Sequence, residues 1–252
     1  MLSVLICAKN EVDNLKGCLE SVAFADEVVV VDDFSTDGSY ELASELGAKV
    51  FRRSLSGDFA SQRNFGIEKC SGDWIFVVDA DERVGEELAR SIKEKTMVGA
   101  TPACYSIRRQ ARFHHHSATH GVLGTDWVVR LAPKKGLKYV GLVHERMESP
   151  YPEARGLDGE MYHYTYDNWD AYFVKFNTYT SLLATQKYEA GRKASFVFDI
   201  MIRPWFAFLK MYVLKGGFLD GKLGFILSVN HFFYVMTKYV KLYYLNDSQG
   251  KL

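Results

Sequence analysis

The sequence predicts an α/β protein, with a mostly parallel central sheet flanked by helices and a C-terminal helical, aromatic-rich extension. Three observations predict it. Short apolar runs alternate with helical spacing over the first hundred residues, the pattern of βαβ units. The predicted strands end in polar and acidic residues, where open α/β sheets place their ligands. After about residue 168 the strand pattern gives way to aromatics and lysines at helical spacing. Two parts follow: residues 1–168 as the ligand-binding domain and 169–252 as the extension.

The elements follow in chain order. Ser3 to Ala8 reads as a buried strand, followed by Lys9-Asn10-Glu11 and a helix from about Asp13 to Ala23 with Leu15, Leu19 and Val22 on one face. Glu27 to Val31 is a second strand, running into the polar turn Asp32-Asp33-Phe-Ser-Thr-Asp-Gly38 and a helix over Ser39 to Leu46. Ala48 to Phe51 is a third strand, and Phe59 to Cys70 has helical spacing and carries Gln62, Arg63 and Asn64. Trp74 to Val78 is a fourth strand, and it ends in Asp79 and Asp81 with one small residue between them. Near the other end, Pro204 opens a helix over Trp205 to Lys215, Gly216-Gly217 stops it, and Lys222 to Leu245 reads as a second long helix.

Two acids on one tight turn repel each other unless something positive lies beside them. A divalent cation with a phosphate-bearing ligand suits them, because hard cations prefer carboxylate oxygens. The structural alternative is that Asp81 caps a helix beginning near Val84. The other strand ends add weight to the ligand reading, because in a parallel sheet Lys9-Asn10-Glu11, Asp32-Asp33 and Asp79/Asp81 share one edge. There Asp33 would accept from the ring N–H of a base, and Arg63 would meet phosphate as a planar fork. The bland reading of Arg63 is a core arginine paired with a surface acid.

The bulk properties narrow the class. The 252 residues are 48% hydrophobic and 25% charged, a globular composition. The net charge of zero argues against a nucleic-acid binder, but the charge is uneven. From Trp169 onward eleven bases face five acids, a net +6 that leaves −6 for the remainder. A basic, aromatic end points to an anionic partner such as a membrane surface. Cys7, Cys18, Cys70 and Cys104 show no paired spacing and read as reduced thiols. No signal peptide is visible, and no apolar run reaches the roughly 18 residues of a spanning helix.

Four stretches together resemble family 2 glycosyltransferases: Val4 to Glu11, Val31 to Gly38, Ala60-Ser-Gln-Arg-Asn-Phe-Gly66 and Asp79-Ala-Asp81. Trp127-Val-Val-Arg-Leu131, Tyr139-Val-Gly-Leu-Val-His-Glu145, His163-Tyr-Thr-Tyr166, Lys175 to Tyr179 and Gly217 to Gly221 look like the branch containing the bacterial lipopolysaccharide inner-core β-1,4-glucosyltransferases. The resemblance implies a GT-A-type fold. It also implies inverting transfer of a hexose, glucose in that branch, from a UDP-sugar to a lipid-linked saccharide such as a core heptose. A Mg²⁺ or Mn²⁺ ion would assist. Carried over by position, Asp33 would hold the uracil, with Asn10 and Glu11 lining the base pocket and Ala8 beside them. Arg63 would lie near the nucleotide, Asp79 would face ribose or metal, and Asp81 would bind the metal. Glu145 stands where the family places its catalytic base. Lys9 departs from the family, which often has an aromatic residue there.

The implied chemistry is a single displacement. A carboxylate within hydrogen-bond reach of the acceptor hydroxyl suits the base role. Glu145 is the candidate, and the adjacent His144 is an alternative base or metal ligand. Arg130 would hold a phosphate of donor or acceptor, against a plain surface ion pair. His114-His-His116 and His120 read as a loop or surface, since neighbours on a strand alternate faces. His163 either closes the nucleotide site or is a buried structural histidine. In the extension, aromatics and leucines would dip into a bilayer while lysines meet anionic headgroups, placing the protein peripherally on the cytoplasmic side of the inner membrane. Two rivals remain. One is a phosphohydrolase with Asp79 as nucleophile and Asp81 as acid, whose motif belongs on a first strand. The other is a non-catalytic nucleotide-sugar-binding membrane scaffold. A transferase acting on a different envelope glycan or a polyprenyl-phosphate acceptor is the alternative within the same chemistry.

Overall fold

A computed structural model describes the chain apart from residues 56, 114, 115, 118, 119, 142–144, 153, 154, 167, 251 and 252, and leaves the side chains of 116, 117, 155, 165 and 166 undescribed. Two compact units emerge. The first comprises residues 1–109 and 126–163, the second 110–125 and 164–252.

The first unit is built on the predicted alternation. Its elements begin β1 (Leu2–Ala8), α1 (Val12–Ser21), β2 (Glu27–Asp32), α2 (Ser39–Glu45), β3 (Lys49–Arg52), α3 (Phe59–Lys69) and β4 (Trp74–Asp79). β1 pairs in parallel with both β2 and β4, and β2 pairs in parallel with β3. Side chains on β1 alternate between two cores, as the period of two requires. Val4 and Ile6 join Leu15, Leu19, Phe76, Leu88 and Ile92, while Leu5 joins Val29, Val31, Ile67, Ile75 and Val77 on the other face. Strands buried on both faces read as continuous apolar runs, which is why β1, β2 and β4 were legible.

Beyond β4 the pairing turns antiparallel. β5 (Glu82–Val84) follows at once, then α4 (Glu86–Lys95), β6 (Tyr105–Phe113), β7 (His116–Ser117), β8 (Asp126–Pro133), β9 (Lys138–Val140), β10 (Arg146–Glu148) and β11 (Arg155–Tyr166). The sheet runs β3-β2-β1-β4-β8-β6-β11-β5, with β7 on β6, and β9 and β10 form a separate pair. β8 is antiparallel to β4 and β6, and β5 is antiparallel to β11. The helix that Asp81 might have capped is absent at that place. Glu82–Val84 is a strand, and α4 starts at Glu86 with Gly85 at its N-cap.

The second unit is mainly helical. α7 (Gly221–Asp247) packs against both α5 (Trp169–Glu189) and α6 (Arg203–Leu209), and α6 continues π-helical turns at Phe196–Ile202 and leads into others at Lys210–Leu214. Pro204 does not open this helix: it sits inside the longer helical run, just after the π-helical turns, where its missing N–H interrupts the backbone ladder. Ala184, Ile200, Ala207, Val235, Tyr239, Leu242 and Leu245 form the core. Lys241 fastens α7 to α5, its Nζ donating to Asn177 Oδ1 at 2.8 Å, Thr180 Oγ1 at 2.9 Å and Ser181 Oγ at 2.7 Å. All four cysteines are free thiols. Among the described residues no helix is long and apolar enough to cross a membrane.

Candidate active site

The carboxyl ends of β1, β2 and β4 define one rim of the first unit. The register sets Ala8 beside Asp32 and Cys7 beside Asp79. The acids ending β2 and β4 thus flank β1, two strand spacings or roughly 10 Å apart.

The loops after β1 and β2 are stitched together. Asn10 N donates to Ser35 Oγ at 2.9 Å, and Thr36 N donates to Asn10 Oδ1 at 2.9 Å. Glu11 N donates to Ser39 Oγ at 2.9 Å and Val12 N to Asp37 Oδ2 at 3.0 Å. Asn10 and Phe34 hold left-handed backbone, φ 53° and 51°, a cost that clusters where loops bind ligands. Asp33 is buried beneath them, accepting from Lys9 Nζ at 2.7 Å and Leu55 N at 3.0 Å. Burial would raise its pKa; the ammonium and the backbone N–H outweigh burial and lower it. Lys9, the departure from the family pattern, is therefore the counter-ion of the acid expected to read the base. Phe34 stands exposed next to Asp33.

The β4 end carries a chain of alternating charges. Arg63, brought in by α3, donates from Nη2 to Asp79 Oδ1 at 2.8 Å, and the same nitrogen lies 3.2 Å from Glu145 Oε1. Arg130 on β8 donates to Asp79 Oδ2 at 2.5 Å and to Glu82 Oε1 at 3.1 Å. Arg109 on β6 reaches Glu82 Oε1 at 3.2 Å and grips Asp126 with two bonds, 3.0 and 2.7 Å. Glu82 also accepts the Asp79 N–H at 2.9 Å. Burial alone would lift the Asp79 carboxyl, but the Arg130 and Arg63 guanidinium groups hold it well below the usual carboxylate range. Glu82, fully enclosed and next to the Asp79 charge, is raised by burial despite Arg130. Burial also pushes the Cys7 thiol up to about 12, so it is no nucleophile at neutral pH. A cavity of about 400 Å³ opens here, lined by Arg63, Asp79, Arg109, Arg130, Tyr139 and Glu145 among others. Arg63 also lies over the Tyr139 ring, 5.0 Å from its centroid.

Asp81, one residue past the Asp79 turn, meets His163 on β11, with Nε2 to Oδ2 at 3.1 Å. An imidazole and a carboxylate side by side fit a divalent cation that draws its other ligands from phosphate oxygens and water. Asp79 has both oxygens on guanidinium groups and would have to release one to join them. Among the described residues no group of three or more His, Cys, Asp and Glu side chains is arranged to hold a metal ion by itself.

Arg63, Asp79, Arg130 and Glu145, far apart in the chain, thus converge, with Asp81 beside them and Ala8, Asn10, Glu11 and Asp33 at the neighbouring strand ends. Arg130 is buried between two acids and is no surface pair. His144 lies outside the described residues, as do His114 and His115. His120 belongs to the second unit, where it pairs with Asp220 at 3.1 Å. Glu82 and Arg109 were not singled out from the sequence. Glu82 had a signal, standing directly after the Asp79-Ala-Asp81 turn; Arg109 had none.

Comparison with known proteins bears on the family of the chain. The family model described as "Glycosyl transferase family 2" matches residues 3–139, more than half the chain. The lipopolysaccharide core biosynthesis glycosyltransferase LpsC of Rhizobium meliloti is 27% identical over 249 residues, 96% of this chain and 92% of LpsC. An uncharacterized glycosyltransferase of Rickettsia typhi is 26% identical over 254 residues, 96% of this chain and 86% of its own. Among solved structures, glucosyl-3-phosphoglycerate synthase of Mycobacterium tuberculosis, crystallised with Mn²⁺ and UDP-glucose, aligns at 20% identity over 44% of each chain with a TM-score of 0.37.

Proposed function

The chain belongs to glycosyl transferase family 2, and from that premise we propose that it moves a hexose, with inversion, from a UDP-sugar to a lipid-linked saccharide acceptor of the lipopolysaccharide-core type. It is a glycosyltransferase; donor, acceptor and metal dependence are what the proposal adds. The LpsC-like sequence over nearly the whole chain supports the acceptor class. One observation carries the site assignment: a single nitrogen of Arg63 ties Asp79, at the end of β4, to Glu145 on the wall of the cavity.

In this reading Asp33 accepts from the uracil ring N–H, with Ala8, Asn10 and Glu11 around it. Phe34 offers a ring face where the family often uses the position of Lys9. Asp81 and His163 would hold a Mg²⁺ or Mn²⁺ ion, which would supply positive charge to neutralise the departing diphosphate. Arg63 and Arg130 contribute fixed positive charge on the same side. Glu145 takes the proton of the acceptor hydroxyl. As the acceptor oxygen bonds to the anomeric carbon, the bond from that carbon to the β-phosphate oxygen breaks and UDP leaves with the electron pair.

The test is UDP release by the full chain from a panel of UDP- and GDP-sugars, with and without core oligosaccharide, in Mg²⁺ or Mn²⁺. Glu145→Gln is expected to keep donor binding in a thermal-shift assay and to lose turnover by roughly 10²- to 10⁴-fold, the usual worth of a general base. Normal turnover in that variant removes the base assignment. No acceptor-dependent UDP release from any donor ends the lipopolysaccharide reading.

A further inference from the structure

The second unit exposes far more apolar surface than a soluble face needs. Of the 29 large apolar side chains exposed among the described residues, 14 lie between residues 196 and 226. Isolated exposed leucines and phenylalanines need no explanation, but a contiguous cluster does.

The cluster has an inverted order. Along the helical run through α6, Phe198, Ile202, Trp205, Phe206, Leu209 and Val213 recur at helical spacing, each at least half exposed. The buried side of the same run holds Ile200, Pro204 and Ala207. A helix serving only its own core would turn its bulk inward. α7 does that, burying Val235, Tyr239, Leu242 and Leu245. The outward stripe is therefore narrower than the whole extension and belongs to the run around α6. Past it, Leu214 is 73% exposed and Leu219 61% exposed, carrying the apolar surface toward the start of α7.

Charge narrows the partner. Between residues 190 and 226 stand six bases, Arg192, Lys193, Arg203, Lys210, Lys215 and Lys222, and two acids, Asp199 and Asp220. Both acids are turned inward. The Asp199 side chain is 2% exposed and accepts from Arg203 Nε at 2.8 Å and Ser195 N at 2.9 Å. The Asp220 side chain is 6% exposed and accepts from His120 N at 2.9 Å. The four lysines are exposed. The face offered to solvent is thus apolar and cationic. The run contains Asp199, Arg203 and Lys210, so it suits lying along a bilayer surface, not crossing it.

We propose that residues 196–226 form an in-plane docking surface for an anionic phospholipid bilayer, with the α6 stripe entering the headgroup boundary and Lys193, Lys210, Lys215 and Lys222 meeting lipid phosphates. This adds to the glycosyl-transfer reading without depending on it.

The experiment is co-sedimentation of the full chain with vesicles of phosphatidylcholine alone or with phosphatidylglycerol at about 30%, without donor sugar. Wild type is expected to bind the anionic vesicles at least tenfold better. Trp205→Ser/Phe206→Ser and Lys210→Gln/Lys215→Gln are each expected to weaken that binding tenfold or more. Met97→Ser/Val98→Ser, which alters exposed apolar side chains of the first unit, is expected to bind as wild type. Circular dichroism melts establish that each variant is folded. Wild-type binding retained in both test variants overturns the proposal, as does wild type that ignores anionic vesicles. Sedimentation velocity showing a stable dimer that Trp205→Ser/Phe206→Ser dissolves also overturns it, assigning the stripe to a second copy of the chain.

Discussion

Asp79 and Glu82 share Arg130, yet the two carboxylates are in opposite electrostatic positions. Two guanidinium groups stabilise Asp79 as the anion, and its pKa falls; Glu82 is enclosed, and its pKa rises. Neutralising them should therefore cost different amounts. Asp79→Asn leaves Arg63 and Arg130 facing each other without the charge between them, and breaking a part-buried pair of this kind costs about 2–3 kcal/mol. Glu82→Gln removes a charge that burial already opposes, and its expected cost is the smaller of the two. Urea denaturation of the two variants at pH 7 checks the contrast. Equal losses would mean that Arg130 binds both acids alike. The sign also orders acid sensitivity: a depressed carboxylate contributes stability above its unfolded pKa and loses it as pH falls. The Asp79 contribution is thus complete at neutral pH.

α3 shows how an element delivers its charge. Gly66, three residues after Arg63, lets the helix lie close on β1 and β2. A Cβ there would come within 2.3 Å of Leu5 Cδ1 and 3.0 Å of Val31 Cγ2. Gly66→Val must push α3 off the sheet, and overpacking of this kind costs about 1–3 kcal/mol. Arg63 moves with the helix, so donor binding is expected to weaken together with thermal stability. A variant that melts earlier yet binds UDP-sugar as wild type would disconnect helix seating from the site. The same element marks what a sequence can show. Phe59 to Cys70 was readable as a helix, and β1 to β4 as strands, because each signal lies within a dozen residues. The antiparallel half was not readable. β5 is only three residues long, and β8 takes its place next to β4 through pairing with residues more than fifty positions away. α5 lies in the extension read as helical but was not delimited as an element, because its large residues fall all round it: Tyr172 is buried, while Phe173 and Val174 are exposed. At the site, the acids at strand ends were legible from the turns they sit on. That Arg63 joins Asp79 to Glu145 is a fact of packing, invisible until α3 and the segment after β9 come together.

At the scale of the whole chain, the first unit separates what holds it together from what works. The rim opposite the site is closed by Glu27. Its carboxylate accepts from Lys49 Nζ at 2.6 Å, from Ser71 N at 2.7 Å and Oγ at 2.6 Å, and from Ser3 Oγ. Ser3 Oγ in turn accepts from Gly72 N at 2.8 Å. One buried acid thereby staples the starts of β1, β2 and β3 and the turn into β4. Burial works against the charge, but these donors prevail and the Glu27 pKa drops to about 2. A carboxyl lowered from its unfolded value of 4.5 lends stability that is complete above that pH and is lost as pH falls toward 2. Glu27→Gln should therefore lower unfolding free energy at pH 7 by about 2 kcal/mol, the worth of hydrogen bonds to a charged group. It should also flatten the fall in stability between pH 4.5 and pH 2. Because the staple and the rim that carries the candidate site lie at opposite ends of the same strands, kcat and KM for the donor at pH 7 are expected to stay at wild-type values. Urea denaturation at pH 7 and pH 3, run beside the UDP-release assay, measures both. A Glu27→Gln variant that unfolds at its normal midpoint, or one that loses turnover as Asp79→Asn is expected to, would show that the two rims are not independent.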